Sequence, residues 1–215
     1  MPVEFLTEDQ QRRYGRYTEE PSPLQLARYF HFDDRDQQLI ARRRTDHTRL
    51  GFAVQLGTVR FLGTFLPNPT DVPANVVVYI ANQLGLEDPA CLHHYHSRDT
   101  HWDHTTEIQQ VYGYCDFHDP RESFRLVRWL YSRLWLSAER PSVVFDLATA
   151  RLVERKVLLP GVTTLERLVA RVRDRSSARL WHLLARLPDA EQQANLDSLL
   201  NVPEGQRSTM LDQLR

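Results

Sequence analysis

The sequence predicts an all-α protein with many helices, arranged as two helical units. Three observations support this fold class: apolar residues recur at helical spacing in successive segments, capping residues precede these segments, and proline or glycine follows them. Hydrophobic residues make up 41% of the 215-residue chain and aromatic residues 10%. That content is sufficient for a globular core and too high for a disordered chain.

The first third of the chain carries several helix-start signals. In each, a short polar side chain that can accept a backbone N–H bond precedes an apolar stripe. They are Thr7 with Gln10, Ser22 with Gln25 followed by Pro23, Asp33 or Asp34 for a helix to about Ala41, and Thr45 or Asp46 for the next helix.

The segment 46–67 predicts a buried central helix because it is apolar on most sides. Leu50 and Ala53 share one face, whereas Phe52 lies on another. Gly51 and Gly57 would let neighbouring elements approach closely, at some cost in helix propensity.

The middle of the chain is divided by breaks at 67–73 and 113–120. Between them, helical spacing from Val77 predicts a helix that ends at Gly85. The run VVVYI at 76–80 could instead form a strand, but a lone strand would have no partner. A polar, histidine-rich helix is expected over about 98–112.

Beyond Pro120 the pattern predicts a helix that ends before Pro141, a helix over 144–156, the turn VLLPG, and a helix over 163–175 capped by Thr163 or Thr164. The same spacing continues to Pro188. The pair 144–156 and 163–175 is like a helix-turn-helix, although its turn is longer than usual.

These breaks predict three parts of the chain. We expect residues 1–118 to form a first helical unit and 119–188 a second, which has the helix-turn-helix-like pattern. Residues 189–215, predicted as two short amphipathic helices, begin a linker or a further domain.

The formal net charge of -1 conceals a basic segment. Residues 121–186 contain fourteen basic and six acidic residues, whereas 1–120 contain eleven and seventeen, and 187–215 two and five. Lys156 is the only lysine. Guanidinium groups bind phosphates and guanine edges through paired hydrogen bonds, so this arginine-rich segment favours a nucleic-acid partner.

Four arginines recur every four residues along the last predicted helix of the second unit: Arg167, Arg171, Arg175 and Arg179. We call this set the arginine ridge. Like charges at this spacing repel in an isolated helix, and only Glu166 and Asp174 are nearby acids. The ridge therefore suggests contact with a phosphate backbone, the alternatives being a solvated basic face or pairing with acids of residues 1–120.

A second basic cluster, the basic junction, comprises Arg42, Arg43, Arg44, His47 and Arg49. Arg60 lies eleven residues after Arg49, three helical turns, and so shares its face. This cluster could form a second DNA contact or a capped, solvated helix junction with Asp46; charge alone does not separate the two.

Cysteine and histidine residues are concentrated between 91 and 118, but their spacing fits zinc poorly. They are Cys91, His93, His94, His96, His101, His104, Cys115 and His118. Zinc sites use two close ligand pairs, which these residues match only loosely. Nucleotide-binding, hydrolase and metalloprotease motifs are absent. We expect no metal, no cofactor and no catalytic residue in this chain.

Four blocks of the sequence resemble the N-terminal region of Tn-three family replicative transposases: MPVEFLT at the start, LQLARYFHFD at 24–33, RLGFAVQLGTVRFLGTFLP at 49–67 and RPSVVFDLATARLVERKVLLPGVTTLERLVARVRDR at 140–175. The resemblance implies sequence-specific binding of double-stranded DNA at the transposon's terminal inverted repeats. It also implies that a magnesium-dependent, RNase H-like catalytic domain lies outside this chain.

The charge, the spacing and the resemblance together predict that both helical units bind DNA. The predicted DNA-contacting residues are Arg42, Arg43, Arg44, His47, Arg49, Arg60, Arg151, Arg155, Lys156, Thr163, Thr164, Arg167, Arg171, Arg173, Arg175 and Arg179. At the start of the last helix, Thr163, Thr164, Glu166 and Arg167 occupy the positions of a recognition helix.

Two other classes of function stay open. One is a helical protein-interaction scaffold whose ridge meets an acidic partner, and a weaker one is a helical enzyme with a Cys/His metal centre. The start of the chain has no secretion signal and no long apolar run, and there are two cysteines, so we expect a cytoplasmic protein without a membrane span. A homodimer would form through parts of the full-length protein outside this chain.

Overall fold

The computed structural model describes residues 5–95, 98–136, 139–202 and 209–213. Within these ranges the regular elements are helices, with one isolated β-bridge between Cys115 and Val157. The predicted all-α fold is confirmed. The α-helices are α1 Glu8–Arg13, α2 Pro23–Tyr29, α3 Asp34–Ala41, α4 Asp46–Leu62, α5 Ala74–Leu84, α6 Arg98–Tyr112, α7 Pro120–Leu136, α8 Pro141–Glu154, α9 Val162–Leu184, α10 Ala190–Ser198 and α11 Met210–Gln213, with a 3₁₀ helix at Pro89–His94.

Local capping chemistry sets most helix starts where the sequence predicted them. The Thr7–Gln10 and Ser22–Gln25 pairs both form capping boxes, and Asp33 caps α3. The run at 76–80 lies inside α5, which ends at Gly85 in the left-handed conformation. The predicted helix is therefore confirmed for this run, and the alternative of a strand is wrong.

Helix α4 is the centre of the first core, as its apolar pattern predicted. Residues 51–59 of this helix are all buried, and α2, α3, α5, α6 and the 3₁₀ helix surround it. Its two glycines lie where neighbouring rings come closest. A Cβ on Gly57 would lie 2.3 Å from Cδ1 of Phe30, and one on Gly51 2.5 Å from the ring of Tyr95. Here the absence of a side chain is a packing requirement.

A second core is formed by α7, α8 and α9, whose apolar stripes meet around Leu130, Val144 and Leu165. Phe5 and Leu6, at the start of the described chain, also pack in this second core. The sequence prediction grouped these residues with 1–118. Their place follows from contacts made with residues about 160 positions away, which no local pattern encodes.

The two cores meet at a short backbone junction. The N–H of Leu159 donates to the carbonyl of Gly63 at 2.9 Å, and the Cys115 N–H donates to the Lys156 carbonyl at 2.9 Å. Gly63 is the left-handed C-cap of α4. The segment that links α8 to α9 is thereby attached to the first core.

The start of α9 differs from the sequence prediction. The helix begins at Val162, with Gly161 in the N-cap position and no side-chain cap. The prediction that Thr163 or Thr164 caps this helix is wrong, because both residues already lie in its first turn.

In the tail, all residues of α10 are exposed. Over the described residues, no helix has the length and apolar content needed to cross a membrane.

Candidate nucleic-acid interface

The arginine ridge lies along the solvent-facing side of α9. Leu165, Val169 and Val172 of the same helix are buried in the second core. Because successive residues advance by about 100° around a helix, Arg167 and Arg171 lie on the side away from this stripe, whereas Arg175 and Arg179 turn progressively towards it and are still exposed. All four guanidiniums are on exposed residues, and over the described part of the chain none forms an ion pair.

The alternative that the ridge pairs with acids of the first unit is not what the structure shows. Each of its four arginines keeps its charge directed to solvent. Asp174, the nearest exposed acid on α9, also makes no ion pair with a described residue. Like-charge repulsion along the ridge is therefore uncompensated, which favours a polyanionic partner.

The end of the ridge borders an apolar groove between α7 and α9. Arg179 lines this groove together with Tyr131, Ser132, Trp135 and Leu183. The ridge therefore changes character along its length, from a purely solvated surface at Arg167 to the edge of an apolar surface at Arg179.

The first two turns of α9 expose Thr163, Thr164 and Arg167, whereas Glu166 is buried. Glu166 is only 1% exposed, and its Oε1 accepts hydrogen bonds from the backbone N–H groups of Phe5 and Leu6 at 2.9 and 3.0 Å. The prediction that Glu166 occupies a base-facing position of a recognition helix is wrong. Its helix position is one step from Arg167, yet that step of about 100° turns its side chain into the protein.

The remaining candidates near α8 and α9 have different surroundings. Arg173 is exposed. Arg151 is half-buried, with its guanidinium 4.9 Å from the ring centre of Trp129. Arg155 pairs with Glu122, its Nε lying 2.9 Å from a carboxylate oxygen. Lys156 donates from Nζ to the Tyr112 carbonyl, and its φ of 55° places it in the left-handed region.

The pairing of Glu122 is strong enough to alter its titration. Hydrogen bonds from Arg155 and then Arg125, which outweigh the effect of burial, lower the pKa of Glu122 to about 2. Arg155 is thus partly neutralised by an internal partner. Its position favours a role in joining α7 to the end of α8.

The basic junction between α3 and α4 divides into exposed and occupied arginines. Arg42 and Arg44 are exposed, and neither forms an ion pair with a described residue. Arg43 has a side chain only 8% exposed; it pairs with Glu107 and lies 3.8 Å above the ring centre of Phe52.

The other members of the junction are intermediate. Arg49 is half-buried, and its guanidinium lies 3.3 Å from the carboxylate of Asp46. His47 is half-buried, with its ring centre 6.3 Å from that of His94.

Arg60 is engaged in the most extensive ion pair of the first unit. Its two terminal nitrogens reach both carboxylate oxygens of Asp36 at 2.8 and 2.9 Å, and Tyr112 donates a further bond of 2.6 Å to that carboxylate. Burial alone would raise the pKa of Asp36, but the bonds from Arg60 and Tyr112 hold it below its ordinary value. Arg49 and Arg60 lie three turns apart on one face of α4, but the guanidinium of Arg60 is occupied by Asp36.

The cysteine- and histidine-rich segment forms local polar contacts. His104 is buried against the Tyr95 hydroxyl at 2.7 Å, and His101 approaches the Tyr95 carbonyl at 3.0 Å. Cys91 and Cys115 are free thiols. No three Cys, His, Asp or Glu side chains among the described residues converge as a metal site. His96 lies outside the described residues.

Two exposed arginines of α7, Arg121 and Arg128, were not among the predicted contacts. They belong to the helix that packs most closely on α9. The available signal was the position of Arg128, which is two residues from each of the buried Leu126 and Leu130 and so on the opposite face.

The fold and this surface define a class: an all-α protein whose second core carries an exposed row of arginines. Comparison with known families narrows the class. Residues 5–172 match the family described as "Domain of unknown function (DUF4158)". The chain belongs to this family.

Three curated relatives carry the same kind of name. The chain is 52% identical, over its whole length, to the transposase for transposon gamma-delta of Escherichia coli (strain K12). It is 30% identical over 99% of its length to the transposase for transposon Tn1546 of Enterococcus faecium. It is 31% identical over 88% of its length to the transposase for transposon Tn501 of Pseudomonas aeruginosa.

The chain spans 22%, 21% and 19% of the lengths of these three relatives. The similarity supports the resemblance to the N-terminal region of Tn-three family transposases. It concerns about one-fifth of the length of each relative.

Proposed function

We propose that this chain binds double-stranded DNA at the terminal inverted repeats of a transposon, as the N-terminal part of a transposase of replicative transposition. The observation that carries this proposal is the arginine ridge, a row of exposed guanidiniums that form no ion pair with any described residue. From Arg167 to Arg179 it extends about 18 Å at 1.5 Å per residue. That length corresponds to about five phosphates of one DNA strand at 3.4 Å each.

The ridge and the first turn of α9 have different roles in this proposal. Arg171 and Arg175 contact phosphates and provide affinity without sequence preference. Thr163, Thr164 and Arg167, at the exposed start of the helix, contact base edges in the manner of a recognition helix. The helix-turn-helix-like geometry of α8 and α9 remains part of the proposal.

The first unit contributes a second, separate contact through the exposed side of the basic junction. Arg42 and Arg44 are the members best placed for it, with Arg49 and His47 at its edge. The ion pairs of Arg43, Arg60 and Arg155 favour structural roles for these three within the larger predicted set.

The test is a titration of the chain against a duplex that carries the cognate transposon end and against a random duplex, at several salt concentrations. Arg175→Ala should weaken binding to both duplexes about equally and reduce the slope of log affinity against log salt by about one. Thr164→Ala or Arg167→Ala should reduce discrimination between the two duplexes by about 1–3 kcal/mol.

Arg133→Ala is the matched control, because Arg133 is an exposed arginine of α7 that already pairs with Glu139. It removes the same charge and should leave affinity and salt slope almost unchanged. If Arg175→Ala behaves like this control, the ridge faces a protein, and the alternative of an interaction scaffold with an acidic partner takes precedence.

The proposal assigns no catalysis to this chain. Cutting and joining of DNA belong to a magnesium-dependent domain outside it, and we propose that the chain works in the cytoplasm without a cofactor. Incubation of an end-containing duplex with the chain and magnesium should produce neither nicks nor joints. Cleavage that disappears on replacing one of its own aspartates would contradict this.

A further inference from the structure

The start of the described chain forms a strap across the helix that carries the arginine ridge. We call residues 5–14 the N-terminal strap. The backbone N–H groups of Phe5 and Leu6 both donate to the same oxygen of Glu166, at 2.9 and 3.0 Å. A buried carboxylate is costly unless hydrogen bonds satisfy it, so Glu166 ties this end of the chain to α9.

Side-chain packing holds the strap against the second core. Leu6 is buried there, and the Phe5 ring meets the Phe145 ring edge-on with 6.4 Å between centres. At the other end of the strap, the ring of Tyr14 lies 5.3 Å from the same Phe145 ring. The strap therefore contacts both α8 and α9 and is part of the second unit in space.

The strap meets α9 at the level of its exposed first turns without covering them. Glu166 lies between Thr164 and Arg167 in sequence, but its side chain is buried while both neighbours are exposed on the other side. The N-cap of α9, Gly161, supplies no side-chain hydrogen bond. The strap thus supplies hydrogen-bonded support to an end of α9 that lacks a side-chain cap.

We propose that Glu166 is a positioning residue: through the N-terminal strap it fixes the orientation of the first turns of α9, and so sets how well the chain distinguishes its DNA site from other DNA. This inference rests on the proposed DNA binding. Random duplexes bind through the exposed arginines along the ridge, which tolerate a small change in helix angle. Base contacts at Thr164 and Arg167 need a fixed geometry, so discrimination depends on the strap more than non-specific affinity does.

The experiment compares four variants of the chain with the unmodified chain: Glu166→Ala, Glu166→Gln, a deletion of residues 1–6, and Glu166→Ala combined with that deletion. Glu154→Ala is the matched control, because Glu154 is an exposed acid of the same unit and its removal changes the net charge equally. Each is titrated with an end-containing duplex and a random duplex. Amide hydrogen exchange of residues 162–170 is measured without DNA.

We expect Glu166→Ala and the deletion each to lower affinity for the end-containing duplex by about tenfold or more, with a smaller change for the random duplex. The combined variant should be no worse than either alone, since both changes remove the same contact. Glu166→Gln should retain most of the discrimination, because its amide oxygen still accepts both N–H bonds. Glu154→Ala should behave as the unmodified chain.

The DNA titrations and the hydrogen-exchange measurement together distinguish failure of the proposed DNA binding from failure of the proposed role of Glu166. If the unmodified chain does not distinguish the duplexes, the proposed function fails, while faster exchange of residues 162–170 in Glu166→Ala would still support the strap as what orders α9. If the unmodified chain distinguishes them and folded Glu166→Ala does so equally well, the positioning role is overturned. A loss in Glu166→Gln as large as in Glu166→Ala would overturn the hydrogen-bond basis.

If Glu166→Ala does not fold, Phe5→Pro carries the test, because it removes one donor to Glu166 and leaves α9 unchanged in sequence. Reduced discrimination by folded Phe5→Pro supports the proposal, and unchanged discrimination overturns it.

Discussion

The arginines of this chain fall into two groups. Some form ion pairs inside the protein, and others direct their guanidinium groups to solvent. Arg60 faces a carboxylate with a side chain only 3% exposed, whereas Arg44 and the ridge arginines face solvent. An arginine whose hydrogen bonds are satisfied internally has little left to offer a phosphate. Loss of the internal partner, by contrast, leaves an uncompensated buried charge.

The residue-scale consequence is that Arg60→Ala should act on stability. Removing the guanidinium leaves Asp36 buried with Tyr112 as its main remaining side-chain donor. We expect the free energy of unfolding to fall by about 2–3 kcal/mol, somewhat below the usual range for a fully buried pair because Arg60 is partly exposed. Arg44→Ala should change it by less than about 0.5 kcal/mol. Urea titration measures both; equal effects would contradict this difference.

His104 makes stability depend on pH. Burial, with smaller contributions from Arg43 and His101, lowers the pKa of His104 to about 4 from the ordinary 6.5. The unfolded chain therefore binds a proton at this residue at pH values where the folded chain does not. Its contribution to stability is complete above pH 6.5 and is lost as pH falls from 6.5 towards 4.

The free energy of unfolding should thus decline below pH 6.5 with a contribution from His104 that approaches about 1.4 kcal/mol per pH unit. Urea unfolding at several pH values measures this slope. His104→Gln should flatten it, whereas His93→Gln, at an exposed histidine, should not. An unchanged slope in His104→Gln would show that other groups cause the decline.

At the scale of elements, α4 and α9 show opposite uses of a long helix. Helix α4 is buried on nearly all sides, and its glycines admit aromatic rings from neighbouring elements. Helix α9 is anchored along one stripe only. Its later positions Leu180, Leu183 and Leu184 continue that stripe but are exposed. Helix α4 therefore forms the centre of a core, whereas α9 exposes much of its length to solvent.

Gly57→Ala should therefore destabilise the protein, although alanine is the better helix former by about 1 kcal/mol. The added Cβ would lie 2.3 Å from Cδ1 of Phe30, so ring or helix must shift. We expect a net loss of about 1–3 kcal/mol. Gly161→Ala is the control, since its Cβ would meet only Thr164 Oγ1, at 3.9 Å. The measurement is the midpoint of thermal unfolding for both variants. Similar midpoints would show that the packing around Phe30 accommodates the added methyl group.

At the scale of the whole molecule, the two cores are joined through the end of α4. The carbonyl of Gly63 accepts a hydrogen bond from the N–H of Leu159, and Gly63 has a φ of 75°. A Cβ there would lie 2.5 Å from Cγ2 of Val153, in the second unit. The junction thus combines a left-handed turn with a close approach between the units.

Gly63→Ala should weaken the coupling between the units, and Gly85→Ala provides a matched control. Gly85 also has a positive φ, of 64°, but nothing lies within 4 Å of its Cβ position. Both variants incur about 1–2 kcal/mol of left-handed strain. Only Gly63→Ala should lose further free energy of unfolding, because of the contact with Val153. It should also broaden the calorimetric transition and lower the ratio of van't Hoff to calorimetric enthalpy. Identical thermograms would show that the junction does not couple the units.

The sequence alone was sufficient for what depends on neighbours along the chain. Capping boxes, the left-handed end at Gly85, the burial of α4 and the exposed ridge on α9 all rest on residues within a few positions of one another. Helical geometry is periodic and local, so a pattern of apolar and charged residues predicts which side of a helix faces solvent.

Only the tertiary structure decided which charged residues are already occupied. Arg60 meets Asp36 across 24 positions, Arg43 meets Glu107 across 64, and Glu166 meets Leu6 across 160. In the sequence, a charged residue that faces solvent cannot be distinguished from one that pairs with another residue inside the protein. Its partner depends on how distant helices pack, because burial and proximity in three dimensions determine whether a hydrogen bond forms within the protein or remains available to DNA.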